Sequence, residues 1–170
     1  FLAGETEGKS YEKMYAFIKK FEHAKEIGSL LIIEDFDEEF LRDRLKTIKN
    51  SELNLLEIGI FDKVIYRFET LIEQAGLLSE TYDIYVTNPP YLGRKYQTDA
   101  TKEYLEQNYD NVKSDLFSSF IISSQNLTKE DGYIGFMSPY VWMFISSHEK
   151  LRNKIINNST ISSLIQLEYS

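Results

Sequence analysis

A chain of 170 residues, 42% hydrophobic and 27% charged, has the size of one domain and enough apolar material to bury a core. Its 12 Tyr and 11 Phe argue against disorder over most of the length, and no run approaches the ~20 apolar residues a membrane span needs. The net charge of −8 has the wrong sign for a simple nucleic-acid binder.

The charge is unevenly spread. Residues 1–80 hold 17 acids and 11 bases, whereas residues 81–170 hold 10 acids and 8 bases, so the second half is close to neutral and able to face a polyanion. A dedicated basic gripping surface is not expected in this chain. The absence of cysteine excludes disulfides and thiolate metal sites and fits a reducing cytoplasm, the expected location. No signal peptide is visible, since Glu5, Glu7 and Lys9 interrupt the start. The chain opens at Phe1 without an initiator Met and stops directly after an apolar alternating run, which leads us to expect a piece of a longer protein.

Residues 1–80 read as mostly helical. Tyr11 to Ile27 places Tyr11, Met14, Tyr15, Ile18, Phe21 and Ile27 at helical spacing, with Gly28 as a stop. Leu30 to Ile33 is a short apolar run, a strand or a docking segment. Asp37 to Ile48 has acids first and bases last, the order a helix dipole favours. Leu53 to Leu78 reads as a long helix with Phe61, Val64, Ile65, Phe68, Leu71 and Ile72 on one face. Nothing in this half carries a chemical motif.

From Tyr82 the pattern changes. Tyr82 to Thr87 is β-branched and aromatic, ends at Asn88-Pro89-Pro90, and reads as a buried strand. Thr101 to Tyr109 is a modest helix, and Ser114 is placed to cap a second one from Leu116 to Leu127. Asp131-Gly132 turns the chain into a strand, Tyr133 to Met137. Ser146 and Glu149 have capping-box spacing for a helix containing Leu151, Ile155 and Ile156, and Ile161 to Leu167 alternates like a final strand. This order predicts an α/β fold with a parallel sheet and crossover helices over 81–170. Ligands in such sheets bind beyond the carboxyl ends of the strands, where Asn88-Pro89-Pro90-Tyr91 lies.

That tetrapeptide is the informative feature. An Asn/Asp-Pro-Pro-aromatic string arises by chance in a chain of this length at about 0.5%, and the requirement of a preceding strand lowers this further. Its bland explanation is a rigid turn with Tyr91 over the core. Its chemical explanation starts from the exocyclic amine of an aromatic base, whose lone pair is delocalised into the ring. The Asn88 side-chain oxygen and the Pro89 carbonyl, held still by two successive prolines, can accept from the amine and draw off positive charge as a bond forms to nitrogen. Tyr91 offers a face on which a base stacks, and a base in a duplex must be flipped out to reach it.

The string resembles the catalytic motif of amino-methyltransferases, which use S-adenosylmethionine directly. Its surroundings, Tyr82 to Gly93, then Ser114-Asp115-Leu116-Phe117 and Gly132-Tyr133-Ile134-Gly135-Phe136, resemble the adenine-specific DNA type. The stretch Trp142 to Arg152 is similar to the PglX-type methyltransferases of BREX phage-defence systems, relatives of the fused type II (Eco57I-like) restriction-modification enzymes. The resemblance spans roughly residues 12–170. It implies the C-terminal half of a Rossmann-like methyltransferase sheet over 81–170, preceded by a helical segment over 1–80 of the same catalytic domain. It implies Asn88, Pro89, Pro90 and Tyr91 as catalytic residues, Asn88 and Asp115 as cofactor contacts, double-stranded DNA as substrate, and further defence-system subunits as partners. The glycine-rich cofactor loop of the family is not found, and Gly4-Glu5-Thr6-Glu7-Gly8 is no substitute. The loop is expected before Phe1 and a target-recognition domain after Ser170, which implies that this chain alone is inactive.

Other candidates are bland. Asp115 also reads as a first-turn acid, Arg94 and Lys95 as a solvated loop able to touch phosphates, Tyr96, Tyr104 and Tyr109 as packing, and Trp142 and Phe144 as core residues that could also flank a flipped base. His23 and His148 lack partners at metal-ligand spacing, so no metal site is expected. Two alternatives stay open: a guanine amine in RNA or a glutamine in protein as substrate, and a non-catalytic scaffold derived from a methyltransferase.

Overall fold

The computed structural model describes residues 7–50 and 58–166. The chain divides into two compact units, 1–80 and 81–170.

In the first unit, α1 (Lys9–Lys20) and the short α2 (Ala24–Ile27) replace the single helix expected from the periodicity. The chain turns at Phe21, whose ring folds back on Phe17 with centroids 5.4 Å apart. Gly28 ends α2 at φ 59°, a left-handed conformation that suits glycine. Leu30, Leu31 and Ile33 are buried without forming a strand, so this run is a docking segment. Asp37 caps α3 (Glu38–Lys49), its carboxylate accepting from the Phe40 N–H at 2.9 Å, with Glu38 and Glu39 in the first turn and Lys46 and Lys49 in the last. α3 packs on α4 (Ile58–Ser79), and Lys49 pairs with Glu69 across them. Phe17, Leu41, Leu45, Phe68 and Ile72 form the core. The expected start of α4, Leu53 to Glu57, lies outside the described residues, as do Gly4 to Thr6.

The second unit is built on two parallel strands, β1 (Tyr82–Thr87) and β2 (Thr128–Phe136). Between them run α5 (Asp99–Asn108) and α6 (Leu116–Leu127); α7 (Glu149–Asn158) follows β2. Thr98 caps α5, its hydroxyl accepting from Thr101 N–H at 3.2 Å. α6 packs on both strands and on α7. It is buried on nearly every side, and its serines 118, 119, 123 and 124 allow close approach where larger side chains would not fit.

The strands are in register from Ile84↔Tyr133 to Thr87↔Phe136. Below that, Lys129 to Gly132 stand opposite Asp83 alone, a bulge closed by Lys129 Nζ on both Asp83 carboxylate oxygens at 3.1 and 3.0 Å. The expected Asp131-Gly132 turn is this bulge, with Asp131 at φ 64°.

Further expectations are corrected. β1 is half-buried, not buried: Tyr85 and Thr87 are shielded, while Ile84 and Val86 are 65% and 75% exposed. Ser114 does not cap α6, because its carbonyl accepts from Arg94 N–H at 3.1 Å and draws it into a bridge between Gly93 and Asp115; Asp115 occupies the cap position. Ser146 does not cap α7, since Ser146–His148 form a separate 3₁₀ turn and His148 precedes the helix. Residues 161–166 form no strand and expose Ile161, Leu164 and Ile165, while Leu167 lies outside the described residues. Alternation supplies a face, but a strand also needs an edge to pair with.

Candidate functional site

The two parallel strands deliver their ends to one place. Thr87, the last residue of β1, accepts from Met137 N–H at 3.2 Å, so Asn88-Pro89-Pro90 and Ser138-Pro139 leave the sheet side by side. Both exits are proline-bearing. Each ends the ladder by removing an N–H, and each fixes the direction in which the chain departs.

At the first exit, Asn88 and Pro90 are exposed and Pro89 is buried. The buried ring anchors the corner while its neighbours face solvent. Tyr91 is 53% exposed and its hydroxyl donates to Asn88 Oδ1 at 3.2 Å. A carbonyl oxygen has two lone pairs, so this bond orients the Asn88 amide and leaves it a second acceptor position. The edge of Tyr91 meets Phe117 at 6.4 Å and 88°, which leaves the tyrosine ring open to solvent on one side.

The loop after the corner is held by backbone. Leu116 N–H donates to Leu92 O and Arg94 N–H to Ser114 O, both at 3.1 Å, forming a short antiparallel bridge between 92–94 and 114–116. The buried Gln97 adds a bond from Nε2 to Leu92 O at 3.1 Å. Asp115 stands on this bridge, and its Oδ1 is buried without a hydrogen-bond partner. Burial lifts its carboxyl above the ordinary carboxylate value, opposed by the Phe117 N–H, by His148, and by the Leu116 and Leu92 amides.

Of the residues singled out from sequence, Asn88, Pro89, Pro90 and Tyr91 lie together at the strand exit, and Asp115 lies under the loop that follows. Arg94 pairs with Glu106, which also sits 3.9 Å from Lys113. Tyr96, expected to pack, is instead exposed, with Lys95 over its ring at 4.6 Å. Tyr109 is buried against Ser123 and its hydroxyl is pushed up to about 12. Trp142 is half-buried on the 3₁₀ segment that follows the second exit, and Phe144, expected in the core, is instead 71% exposed at its end. Arg152 Nη1 donates to Trp142 O at 2.8 Å and Ile145 O at 2.7 Å, tying that segment to α7.

The residue that sequence reasoning undervalued is His148. It is buried, 5.3 Å from the Phe117 ring, and its Nδ1 shares a 3.3 Å hydrogen bond with Ser118. A signal existed: position 148 lies three and seven residues before Leu151 and Ile155, on the face those residues bury. Among the described residues no cluster of His, Asp and Glu is arranged to hold a metal, and no helix is long and apolar enough to cross a membrane.

The profile of the Eco57I restriction-modification methylase family matches residues 6–170. The adenine-specific methyltransferase BrxX of Escherichia coli O9:H4 (strain HS) is 31% identical over 164 residues, covering 95% of this chain and 13% of that protein. The adenine-specific methyltransferase PglX of Lacticaseibacillus casei (strain Zhang) is 34% identical over 140 residues, 80% of this chain and 11% of that protein. The type II restriction enzyme and methyltransferase RM.Eco57I of Escherichia coli is 29% identical over 117 residues, 66% and 12% respectively. The chain thus spans about an eighth of the length of these relatives. A corner of Asn88, two prolines and Tyr91 at the end of a parallel strand, matched along nearly the whole sequence, makes the chain a member of the Eco57I restriction-modification methylase family.

Proposed function

We propose that the protein containing this chain methylates the exocyclic N6 amine of adenine in DNA, using S-adenosylmethionine, in restriction-modification or phage defence. The observation that carries the reading is the exposure of Asn88 and Tyr91 on an anchored Pro89, at the carboxyl end of β1. The relatives named adenine-specific methyltransferases support the choice of base. A Rossmann-like sheet, of which β1 and β2 would be two adjacent strands, is part of the same proposal, as is the division into a helical segment, 1–80, and a catalytic half, 81–170.

The residues present suit one side of such a site. Asn88 has a free acceptor position facing solvent, and Asp115 leaves a buried oxygen unpaired beside the loop that carries Tyr91. Among the described residues no glycine-rich turn follows a strand to cradle the rest of a nucleoside. Asn88 and Asp115 would therefore be this chain's contribution to holding S-adenosylmethionine, with the latter acting chiefly through the 92–94 loop. When bound, that cofactor supplies an electrophilic methyl on a sulfonium.

The chain's own groups act on the amine. Asn88 Oδ1 and the Pro89 carbonyl accept its two N–H bonds, turn the lone pair out of the ring, and stabilise positive charge as the nitrogen–carbon bond forms. The nitrogen then releases one proton to solvent. Tyr91 supports the flipped base from one face. Pre-set groups of this kind are worth about 10²–10³ in rate, because they need no reorganisation when charge develops.

Double-stranded DNA and other defence subunits are the proposed partners, in the cytoplasm. Arg94 and Lys113, on the segments joined by the bridge after the corner, are paired with acids, so the DNA grip would come from other parts of the full-length protein. Because the family's glycine-rich cofactor loop is not found in this sequence, we expect the 170-residue chain alone to bind cofactor weakly or not at all and to transfer no methyl group. The deciding experiment expresses the full-length protein and its Asn88→Ala variant and measures N6-methyladenine in host DNA. Loss of the mark in the variant is expected. Methylated guanine in RNA or methylated glutamine in protein would replace adenine as substrate, and cofactor binding without any product would favour a scaffold.

A further inference from the structure

Behind the corner lies a buried stack that the acceptor chemistry does not require. His148 and Ser118 are 5% and 0% exposed, and their side chains share a hydrogen bond of 3.3 Å. The imidazole lies 5.3 Å from Phe117, tilted by 54°; Phe117 is 1% exposed and meets Tyr91 edge-on; Tyr91 holds Asn88. A core position filled for packing alone is better served by leucine, because a buried imidazole must find a polar partner. Ser118 is that partner, and it fixes the plane of the ring as well as its place. Phe117 is buried between that ring and Tyr91.

We infer that His148 is a positioning residue for the corner: clamped by Ser118, its ring sets Phe117, and Phe117 sets the Tyr91–Asn88 pair. The inference rests on the methyltransferase reading for its effect on rate, and on geometry alone for the coupling itself. Burial keeps His148 below the ordinary imidazole value, Asp115 at the start of α6 opposing and Arg152 on α7 reinforcing the shift, which favours the neutral ring. Neither charged group is the clamp. The ring contact and the Ser118 bond are.

The test uses the full-length protein with two complementary substitutions. His148→Phe keeps a ring against Phe117 and removes the bond to Ser118; His148→Asn keeps a polar atom for Ser118 and removes the ring. Ile156→Ala, on the exposed side of α7, is the control. Because a small misplacement of a reacting group costs up to about 10²-fold, kcat should fall about 10- to 100-fold in both variants. KM for DNA and for S-adenosylmethionine should stay within about twofold, a split that general loosening would not give.

A second readout does not depend on turnover: the ¹⁹F resonance of 3-fluorotyrosine placed at position 91 should move or broaden in both variants and stay put in Ile156→Ala. Where a His148 variant fails to fold, Ser118→Ala removes the same bond with the imidazole in place and should shift the resonance in the same direction. Folded variants with wild-type kcat and an unmoved resonance overturn the inference. If the wild-type protein methylates no adenine, the functional reading fails by itself, and the ¹⁹F signal alone decides whether His148 governs Tyr91.

Discussion

The Tyr91 hydroxyl rests on the same oxygen of Asn88 that would receive a base amine, at 3.2 Å. The two substitutions at position 91 therefore separate the bond from the ring. Tyr91→Phe keeps the stacking face and removes the bond that orients the Asn88 amide, worth about 0.5–1.5 kcal/mol, so kcat should fall about 2- to 12-fold. Tyr91→Ala loses the face, worth about 1–3 kcal/mol, and kcat/KM should drop about 5- to 150-fold. Steady-state kinetics of the full-length protein on DNA check both, and equal losses in the two variants would show that the hydroxyl, not the ring, matters.

Gly132 sits in the bulge where space runs out. A Cβ there would lie 2.5 Å from Thr128 Cγ2, 2.9 Å from Lys129 O and 3.0 Å from Asp83 O. Two of these are backbone atoms that cannot swing aside. Gly132→Ala should destabilise the unit by about 1–3 kcal/mol, the usual cost of overpacking, whereas Asp131→Gly, at a positive φ, should be tolerated. Thermal unfolding of the two variants, side by side, gives the comparison.

Tyr109 makes the protein sensitive to alkali. Burial raises its hydroxyl to about 12, so the folded state keeps the proton that the unfolded chain gives up near 10. Stability from this residue is intact below about pH 10 and should decline by up to about 1.4 kcal/mol per pH unit as pH rises toward 12. Tyr109→Phe should flatten that part of the curve in a denaturation series from pH 9 to 12.

Acid acts on the other side of the same unit. His148 is held below its usual 6.5 by burial, so the unfolded chain takes up its proton first and stability falls as pH drops from about 6.5. Asp115, lifted above 3.8, takes up a proton more readily when folded and opposes that loss. Asp115→Asn should therefore steepen the acid decline, and His148→Phe should shallow it, in urea titrations between pH 7 and 4.

What the residues announced and what they concealed follow a physical line. Elements with internal signals were legible: Asp37 and the charge order of α3, the β-branched run of β1, and the double proline that ends it. Elements whose boundaries depend on a distant partner were not. Ser114 looked like a cap until its carbonyl was claimed by Arg94, twenty residues earlier in the chain. Ile161 to Leu167 had the alternation of a strand without a neighbouring edge, and among the described residues β1 and β2 pair only with each other. At the site, Asn88 to Tyr91 could be read directly because the motif is contiguous. The pairing of Phe117 with His148 could not, because it joins residues far apart in the sequence.

A single nitrogen of Arg152 grips two carbonyls, those of Trp142 and Ile145. The guanidinium rivets the segment to the helix, so the two travel as one plate, carrying the exposed Phe144 with them. Bending of the backbone in this region is thereby left to the residues outside that plate, Ser138-Pro139 before it and the segment after Asn158.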